Sequence, residues 1–538
     1  MGPVPENQLD ALVVGTGFGG LYSIYLLKQL GLNVKAIESA PDVGGTWYWN
    51  RYPGARSDIH SHVYRYSWDK ELLKDFPWPN NYLHQPELLA YFQEVARKHG
   101  LYPLIQFSTE LKGAVWDDQK NLWVVSTSTG HKYITRYLVT AVGILHNKNV
   151  PEIPGLDSFK GQVLHSSSWN PDTQWEGKRV AVIGSGASGV QIVSSLSEKA
   201  KSLTHFIRHA QYVIPSRYRT VSPEERNHIN ERYDKIWEDV FLSNTAFGFV
   251  EPGRPTLSLS PEDREIVFER LWKEGNGFQF LFGGFSDLAT DEAANKEAIK
   301  FIHRKIKEIV KDPQKAAVLT SSDFFARRPL TDDSYYERFN QDNVFAIDLK
   351  KAPITEITAE GIKTADDTTH AVDLIVFATG FDAIDGSYTR LDIRGRNGIE
   401  LKEHWEAEGP KSHIGAATSK FPNLLFVNGP GSVFANNPPV AEVTAEFARD
   451  LIKKSEEVRT EEHGIGVLEA LEDAENEWRQ QMEDVAEATL FSKTPSWFFG
   501  ENIPGKKVAP RLYFGGIGRF RAAIAEEKAY GFKGFQFR

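Results

Sequence analysis

Two glycine-rich sequences carry the residue types and spacings that could do chemistry, and the chemistry they indicate is the binding of dinucleotides. In the first, Gly15, Gly17 and Gly20 form a GxGxxG pattern between an apolar strand at residues 10–14 and an amphipathic helix. These glycines permit a tight turn and let a pyrophosphate approach the helix N-terminus. Glu38 lies 23 residues beyond Gly15, at the end of the next apolar strand, where a carboxylate can accept hydrogen bonds from ribose hydroxyls. This order of elements predicts a dinucleotide site, with a simple glycine-rich turn as the alternative.

A second signature with the same spacing follows a predicted strand at residues 178–183, and its glycines are Gly184, Gly186 and Gly189. The residue after its next strand differs, because Arg208 stands where the first site has Glu38. A cation at that place suits the 2′-phosphate of NADP. The alternative for Arg208 is a solvated charge at a strand end. We also assign to this cofactor site Ser185 and Ser188, which lie within the signature.

Two further stretches of small and aromatic residues are typical of loops that touch a cofactor. Residues 44–58, GGTWYWNRYPGARSD, combine glycines, aromatic side chains, a turn and a carboxylate, which favours a loop laid against a flat ring system. The alternative is a surface loop with a packed tryptophan. A predicted strand at residues 374–378 ends in another small-residue turn. From these stretches and the first signature we assign to the cofactor sites Phe18, Gly45, Thr46, Trp47, Thr379 and Gly380.

The chain of 538 residues is long enough for several domains, each with its own core. We expect an α/β fold with two Rossmann-like dinucleotide-binding domains, for FAD and NADP, and a helical insertion in the NADP domain. Ser222 and Ser260 each precede a proline and acids, which predicts helix starts within the insertion. The expected ranges are 1–150 and 386–538 for the FAD domain, 151–220 and 324–385 for the NADP domain, and 221–323 for the insertion. The final range includes a C-terminal loop over the active site.

Composition excludes several classes of protein. The formal charge of −10 leaves no basic excess to neutralise nucleic-acid phosphates. No apolar run reaches the length of a membrane span, and the N-terminus does not match a signal peptide, so we expect a cytoplasmic protein. The sequence contains no cysteine, which excludes thiol chemistry and the flavoprotein reductases that use a cysteine pair. We expect no metal site.

Residues 159–170, FKGQVLHSSSWN, lie between the two signatures at the seam of the cofactor domains. They match the fingerprint FxGxxxHxxxW of the type I Baeyer-Villiger monooxygenases at Phe159, Gly161, His165 and Trp169. The next position departs from the family pattern, because it is Asn170 rather than Pro or Asp. A second family pattern, GGxWxxxx[FY]PGxxxD, is met throughout residues 44–58. The sequence therefore resembles this family over nearly its whole length.

The resemblance implies roles for individual residues. Arg328 resembles the active-site arginine, Asp58 the carboxylate that orients it, and Arg327 a residue that helps to hold the NADP phosphate. Trp497 resembles a loop tryptophan that folds over the nicotinamide cofactor, and Gln191 resembles a glutamine that contacts the same cofactor. Residues 432–439 resemble a segment that lines the substrate site, with the candidates Ser432, Phe434, Asn436 and Asn437. The fingerprint residues are expected to form a hinge rather than to catalyse, and His165 in particular is expected to be structural.

The implied activity is the insertion of one oxygen atom from O₂ next to a ketone carbonyl, with NADPH as reductant and a C4a-peroxide of FAD as oxidant. A peroxide anion and the adduct it forms both need a fixed cation nearby, and a guanidinium such as that of Arg328 stays charged. The alternatives are a flavin monooxygenase that oxidises sulfur or nitrogen, and a flavoprotein that only binds nucleotides. Small ketones and O₂ are the expected partners, without nucleic acid or membrane, and we expect a monomer or weak oligomer.

Overall fold

The computed structural model describes residues 8–461 and 465–538. The strands are β1 (Gln8–Val14), β2 (Val34–Ile37), β3 (Ile105–Gln106), β4 (Leu111–Asp117), β5 (Leu122–Thr127), β6 (Lys132–Thr140), β7 (Gln162–His165), β8 (Arg179–Ile183), β9 (Ser202–Ile207), β10 (Val213–Ile214), β11 (Leu330–Thr331), β12 (Val344–Asp348), β13 (Ile354–Ile357), β14 (Gly361–Thr364), β15 (Thr369–Ala371), β16 (Leu374–Phe377), β17 (Asp392–Arg394), β18 (Leu424–Phe426), β19 (Leu468–Ala470) and β20 (Phe535–Phe537).

The α-helices are α1 (Phe18–Gln29), α2 (Thr46–Trp49), α3 (Lys70–Asp75), α4 (Gln85–Lys98), α5 (Ala187–Leu196), α6 (Pro223–Glu231), α7 (Tyr233–Leu242), α8 (Pro261–Glu274), α9 (Gly277–Phe282), α10 (Glu292–Ile309), α11 (Pro313–Leu319), α12 (Tyr335–Arg338), α13 (Gly386–Thr389), α14 (Leu401–Glu406), α15 (Asn437–Glu461), α16 (Glu472–Glu487) and α17 (Ile517–Ala529). None of them, within the described ranges, is long and apolar enough to cross a membrane.

The first sheet has the strand order β17-β4-β5-β6-β1-β2-β3, with β18 also paired to β6. β1 runs parallel to both β2 and β6, and it is apolar and buried from Ala11 to Val14, as expected of a strand covered on both faces. Strands β17 and β18 come from the C-terminal third of the chain and pair in parallel with β4 and β6. The chain therefore returns to its first sheet after completing the second.

The second sheet has the order β12-β9-β8-β16-β7, and its strands are all parallel. β7 is the middle of the fingerprint segment and forms an edge of this sheet, where it pairs with β16. Because the carboxyl ends of parallel strands meet at one edge, β7, β8 and β16 deliver the fingerprint, the second glycine signature and the turn after residue 377 to one place. The prediction of an α/β fold with two Rossmann-like units is confirmed.

The block between β10 and β11 is helical, from α6 to α11. The predicted N-caps are correct, since Ser222 accepts a bond from the backbone N–H of Glu225 and Ser260 does the same for Asp263. α15 begins at residue 437, and Pro438 and Pro439 fall in its first turn, where prolines are tolerated. The domain ranges given above stay predictions.

Candidate functional site

A cavity of about 730 Å³ lies at the carboxyl ends of the strands of the first sheet. Its walls include most of the residues that the sequence assigns to the first dinucleotide site, namely Gly15, Gly17, Phe18, Glu38, Gly45, Thr46 and Trp47. Ser167 and Ser168 from the fingerprint also line it, together with Phe381 after β16. The seam between the two sheets therefore opens onto this cavity.

The first glycine signature is shaped as a cradle. Gly15 has a φ of +97°, and a Cβ added to Gly20 would lie 1.9 Å from the carbonyl oxygen of Gly15. Gly45 is also in the left-handed region, and a Cβ there would lie 3.0 Å from the Cα of Gly17. The N-cap of α1 is Gly17, which supplies no side-chain cap, so the first-turn N–H groups are free to bind a pyrophosphate.

Glu38 is buried, and its carboxylate accepts hydrogen bonds from neighbouring groups of the protein. One oxygen accepts hydrogen bonds from the backbone N–H and the hydroxyl of Thr16, both at 2.8 Å. The other accepts from the N–H of Ala40 at 2.8 Å and from the hydroxyl of Ser39 at 3.1 Å. The carboxylate thus lines the cavity in a fixed orientation, suited to ribose hydroxyls.

The second glycine signature repeats this geometry. Gly184 has a φ of +109°, and a Cβ on Gly189 would lie 2.1 Å from the carbonyl oxygen of Gly184. Gly186 is the N-cap of α5 and again supplies no side-chain cap, while the space around it is open. Ser185 donates a hydrogen bond to the carbonyl of His209 at 2.6 Å, and Ser188 lies in the first turn of α5. The N-terminus of α5 is therefore a second place where a pyrophosphate fits.

The cations of the second site differ in how they are held. Arg208 is exposed and makes no hydrogen bond or ion pair with the described residues. Arg327 is held by Asp323 at 2.7 Å and donates to the carbonyl of Pro495 at 2.9 Å. A hydrogen bond from His209 and the charge of Arg327 hold the pKa of Asp323 well below its usual range. Arg208 is the freer of the two cations to meet a phosphate.

The structure brings together Asp58 and Arg328, which are 270 residues apart in sequence. The guanidinium donates to both carboxylate oxygens, Nη1 to Oδ2 at 2.5 Å and Nη2 to Oδ1 at 2.8 Å. The arginine side chain keeps 30% of its surface exposed, whereas the carboxylate keeps 10%. Burial acts to lower the pKa of Arg328, but the charge and bonds of Asp58 outweigh it and raise that pKa. Arg328 therefore stays charged, and part of its side chain remains accessible.

Tyr52 and Gln191 connect the two nucleotide domains, a contact that the sequence did not reveal. The hydroxyl of Tyr52 donates to Oε1 of Gln191 at 2.9 Å, and burial raises the pKa of Tyr52 to about 12, so it stays a donor. Nε2 of Gln191 donates to the carbonyl of Arg56 at 3.2 Å. A Cβ on Gly54 would lie 1.9 Å from the hydroxyl of Ser195, so the turn fits closely against α5. The amide of Gln191 thus joins the domains, and its predicted contact with the cofactor stays a prediction.

His165 is buried and neutral. Burial lowers its pKa to about 4. Nδ1 accepts from the backbone N–H of Ser167 at 3.2 Å, so the proton lies on Nε2, which donates to the carbonyl of Gly380 at 3.1 Å. The histidine therefore ties the fingerprint to the turn after β16, where Thr379 donates to the carbonyl of Asn149 at 2.5 Å.

Phe159, Gly161 and Trp169 of the fingerprint pack within the protein rather than line a site. Trp169 is buried in the core shared by the second sheet and the helical block. A Cβ on Gly161 would lie 2.4 Å from the carbonyl of Asp373 and 2.6 Å from the ring of Phe159. Asn170 accepts a bond from the N–H of Asp172 at 3.0 Å, which an aspartate at this position could equally accept. The departure from the family pattern thus leaves the turn intact.

Trp497 is half-buried on the C-terminal segment, with its ring 4.4 Å from that of Phe498. The four candidates for the substrate site are spread over different surroundings. Ser432 and Asn436 are fully buried, and Asn436 donates to the carbonyl of Val63 at 2.8 Å. Phe434 contacts both large cores. Asn437 lines the first cavity, so the substrate role of this group stays a prediction.

Two glycine cradles, one with a fixed carboxylate and one followed by an exposed arginine, define a protein that binds two dinucleotides. A bidentate arginine–carboxylate pair joins the connection after α2 to the segment before β11. Residues 10–240 match the family described as flavin-binding monooxygenase-like. A Baeyer-Villiger monooxygenase of Pseudooceanicola batsensis is 45% identical, covering 98% of this chain and 95% of that protein. A phenazine N-monooxygenase of Lysobacter antibioticus is also 45% identical, covering 98% and 97%.

Among solved structures, cyclohexanone monooxygenase from Rhodococcus sp. Phi1 bound to NADP⁺ superposes with a TM-score of 0.96 at 44% identity, covering 99% of each chain. The chain belongs to the Baeyer-Villiger monooxygenases. It is an NADPH-dependent flavin monooxygenase, and the expectation of FAD and NADP as its cofactors is confirmed.

Proposed function

We propose that this enzyme converts cyclic ketones into lactones with Arg328 and Asp58 as its catalytic pair. The overall reaction consumes one ketone, one O₂, one NADPH and one proton, and yields one ester, one NADP⁺ and one water. The observation that carries the proposal is the bidentate Asp58–Arg328 pair, in which the carboxylate is 10% exposed and the arginine side chain remains 30% exposed. A relative whose structure is known is named for cyclohexanone, which supports a cyclic ketone as the substrate class.

The glycine cradles account for the binding of the two cofactors. The uncapped N-termini of α1 and α5 would each hold a pyrophosphate, and Glu38 would hold the ribose of FAD. Arg208 would meet the 2′-phosphate of NADP, with Arg327 nearby. When bound, FAD accepts the hydride of NADPH and activates O₂ so that one oxygen atom can be transferred.

Arg328 supplies the positive charge that the transfer needs. Both the attacking oxygen nucleophile and the tetrahedral adduct at the ketone carry negative charge, so a cation that cannot give up its proton stabilises both. At about 4 Å in a partly screened site such an attraction is worth roughly 4 kcal/mol. Asp58 orients the guanidinium by two parallel hydrogen bonds, which is the geometry that a carboxylate imposes on arginine.

His165 contributes position rather than proton transfer. Its pKa of about 4 keeps the ring neutral at neutral pH, and its hydrogen bonds to Ser167 and Gly380 hold it in place. We assign to Trp497 the exclusion of water from the nicotinamide side of the site, since loops that close over a cofactor protect reactive species from hydrolysis. The domain ranges, the cytosolic location and the monomeric or weakly oligomeric state stay predictions.

Product analysis tests the proposal. The purified enzyme with FAD, NADPH and O₂ is given linear, cyclic and polycyclic ketones, and we expect lactones from cyclic ketones in an amount equal to the NADPH consumed. A thioether and an aromatic N-heterocycle complete the panel, because one relative is named as an N-monooxygenase. An N-oxide or sulfoxide without any lactone would replace the proposal by heteroatom oxidation.

A further inference from the structure

The link between α8 and α9 has a backbone that favours glycine at two successive positions. Gly275 has a φ of +85°, and Asn276, which follows it, has a φ of +76°. A non-glycine residue in this region is strained unless its surroundings hold it there. Asn276 is only 4% exposed, so its side chain must also find hydrogen-bond partners within the protein.

The side chain of Asn276 makes four hydrogen bonds to groups of the protein. Its Oδ1 caps α9 by accepting from the N–H groups of Phe278 at 2.9 Å and Gln279 at 3.1 Å. Its Nδ2 donates to the backbone carbonyl of Asp58 at 3.0 Å and to the hydroxyl of Tyr82 at 3.0 Å. The amide therefore joins the helical block to the very residue that orients Arg328.

Gly277 and Phe278, the next two residues, lie close to Arg328, the other member of the pair. The N–H of Gly277 donates to Oγ1 of Thr331 at 2.8 Å, and a Cβ at Gly277 would lie 2.6 Å from the carbonyl of Leu330. Leu330 and Thr331 form β11, which begins only two residues after Arg328. The ring of Phe278 lies 5.2 Å from the guanidinium carbon of Arg328. Three consecutive residues thus contact Asp58, the strand after Arg328 and the guanidinium itself.

We propose that Asn276 is a positioning residue of the reaction, and that it sets the register between Asp58 and Arg328 through its bond to the Asp58 carbonyl. The inference rests on the catalytic role proposed above for that pair. Asp58 lies in the connection between α2 and α3, and Arg328 follows α11, the last helix of the helical block. Their side chains meet bidentately only if both backbones are fixed, and a misplacement of about 1 Å at an active site can cost roughly a hundredfold in rate.

Two substitutions separate the functions of the amide. Asn276→Asp keeps an oxygen that can cap α9 but cannot donate to the carbonyl of Asp58. Asn276→Gly suits the backbone angle but removes all four bonds. We expect both to lower lactone formation per NADPH consumed by about tenfold, the loss associated with one buried hydrogen bond. The rate at which NADPH reduces the flavin should stay within about twofold of the unsubstituted enzyme, because the cofactor cradles are untouched.

Asn423 supplies a matched control. It is also fully buried, has a φ of +56°, and uses both ends of its amide, donating to the carbonyl of Gly466 at 3.0 Å and accepting from the N–H of Leu468 at 2.7 Å. It lies beside β18 in the first sheet, with no bond to the pair. Asn423→Asp should lower the thermal midpoint as Asn276→Asp does, yet leave the ratio of lactone to NADPH unchanged.

Crystal structures of the Asn276 variants provide a readout that does not depend on activity. We expect the two hydrogen bonds between Asp58 and Arg328 to be reduced to one or lost in both variants, and to be intact in Asn423→Asp. An unchanged pair together with an unchanged ratio would overturn the inference. So would a loss in Asn276→Asp alone, because the effect would then belong to the new charge. If the unsubstituted enzyme oxygenates no ketone, the proposed function fails, while the crystal structures still decide this inference.

Discussion

The two nucleotide sites share one backbone geometry but differ in how far the protein completes them. In the first site Glu38 is held by four hydrogen bonds and lines a cavity of about 730 Å³. In the second site Arg208 is exposed and unbonded within the described chain, and Arg327 is held by Asp323. A site whose binding groups are already fixed suits a cofactor that stays bound. An exposed cation instead suits a cofactor that brings its own negatively charged phosphate, binds, and leaves after each turnover.

The Asp58–Arg328 pair joins the side of the first nucleotide site to the side of the second. Breaking it should have the largest effect on lactone formation. In Arg328→Ala we expect lactone formation to fall by about a hundred- to thousandfold, the usual cost of removing a preorganised stabiliser of negative charge. FAD content and flavin reduction by NADPH should remain. Rapid-mixing absorbance and product yield measure the two steps separately.

Arg179→Ala is the control for that substitution, because Arg179 also forms a bidentate pair, with Asp373 at 2.6 and 3.1 Å, at the opposite end of the second sheet. Its lactone yield should match that of the unsubstituted enzyme. Normal lactone output from Arg328→Ala would remove the pair from the mechanism.

Glu38→Gln tests whether the first site depends on its fixed carboxylate. The amide would present an N–H₂ group to donors that now point at an oxygen, and leaving such buried groups unpaired costs about 1–3 kcal/mol. We expect FAD affinity to fall by roughly tenfold or more, while the Michaelis constant for NADPH in the FAD-saturated enzyme stays the same. Flavin absorbance after dialysis measures the loss, and full retention of FAD would contradict the comparison.

Arg208→Glu makes the reciprocal test at the second site. A charge-assisted hydrogen bond to phosphate is worth about 1.5–3 kcal/mol, so the Michaelis constant for NADPH should rise by about tenfold or more, and that for NADH much less. Lys201→Glu makes the same change of charge before the start of β9 and should alter neither constant. Equal NADPH constants in the two variants would show that Arg208 is only a solvated charge.

The part of the protein that forms the first nucleotide site also contains a buried acid, Glu442. Its titration should affect stability, and this effect is smaller than the effects on activity described above. Burial raises the pKa of Glu442 on α15 from 4.5 to about 8, with Ser67 donating a bond from its N–H at 2.5 Å. The folded protein therefore keeps a proton that the unfolded chain releases above pH 4.5. Stability from this group is complete below that pH and is lost as the pH rises to about 8.

Glu442→Gln removes this titration while a side-chain oxygen can still accept the bond from Ser67. The thermal midpoint of the variant relative to the unsubstituted enzyme should rise between pH 5 and pH 8.5, by the equivalent of about 1 kcal/mol or more. Glu457→Gln on the same helix, where the side chain is 41% exposed, should show no such dependence. A constant difference across this pH range would contradict the buried protonated acid.

Local patterns in the sequence predicted much of this fold. The glycine signatures at Gly15 and Gly184 are recognisable because each needs a backbone that other residues resist, and the caps at Ser222 and Ser260 because a serine, a proline and acids specify a helix start. The approach of Asp58 to Arg328 was implied only by family resemblance. The separation of 270 residues leaves no periodic trace in the sequence.

The contacts that sequence reasoning missed are those set by the packing of distant segments. The bond between Tyr52 and Gln191 depends on how a turn of the first domain meets α5, and no spacing encodes it. Asn276 gave one weak signal, since it stands between two glycines in the stretch GNG. That pattern indicates an unusual backbone but not which carbonyl the side chain will meet.

Isotope labelling tests the central claim most directly. The enzyme is supplied with ¹⁸O₂, NADPH and cyclohexanone, and the product is analysed by mass spectrometry. We predict a lactone that carries one ¹⁸O atom for each NADPH consumed. Unchanged ketone with hydrogen peroxide as the only product of O₂ would contradict the claim that this chain is a ketone oxygenase.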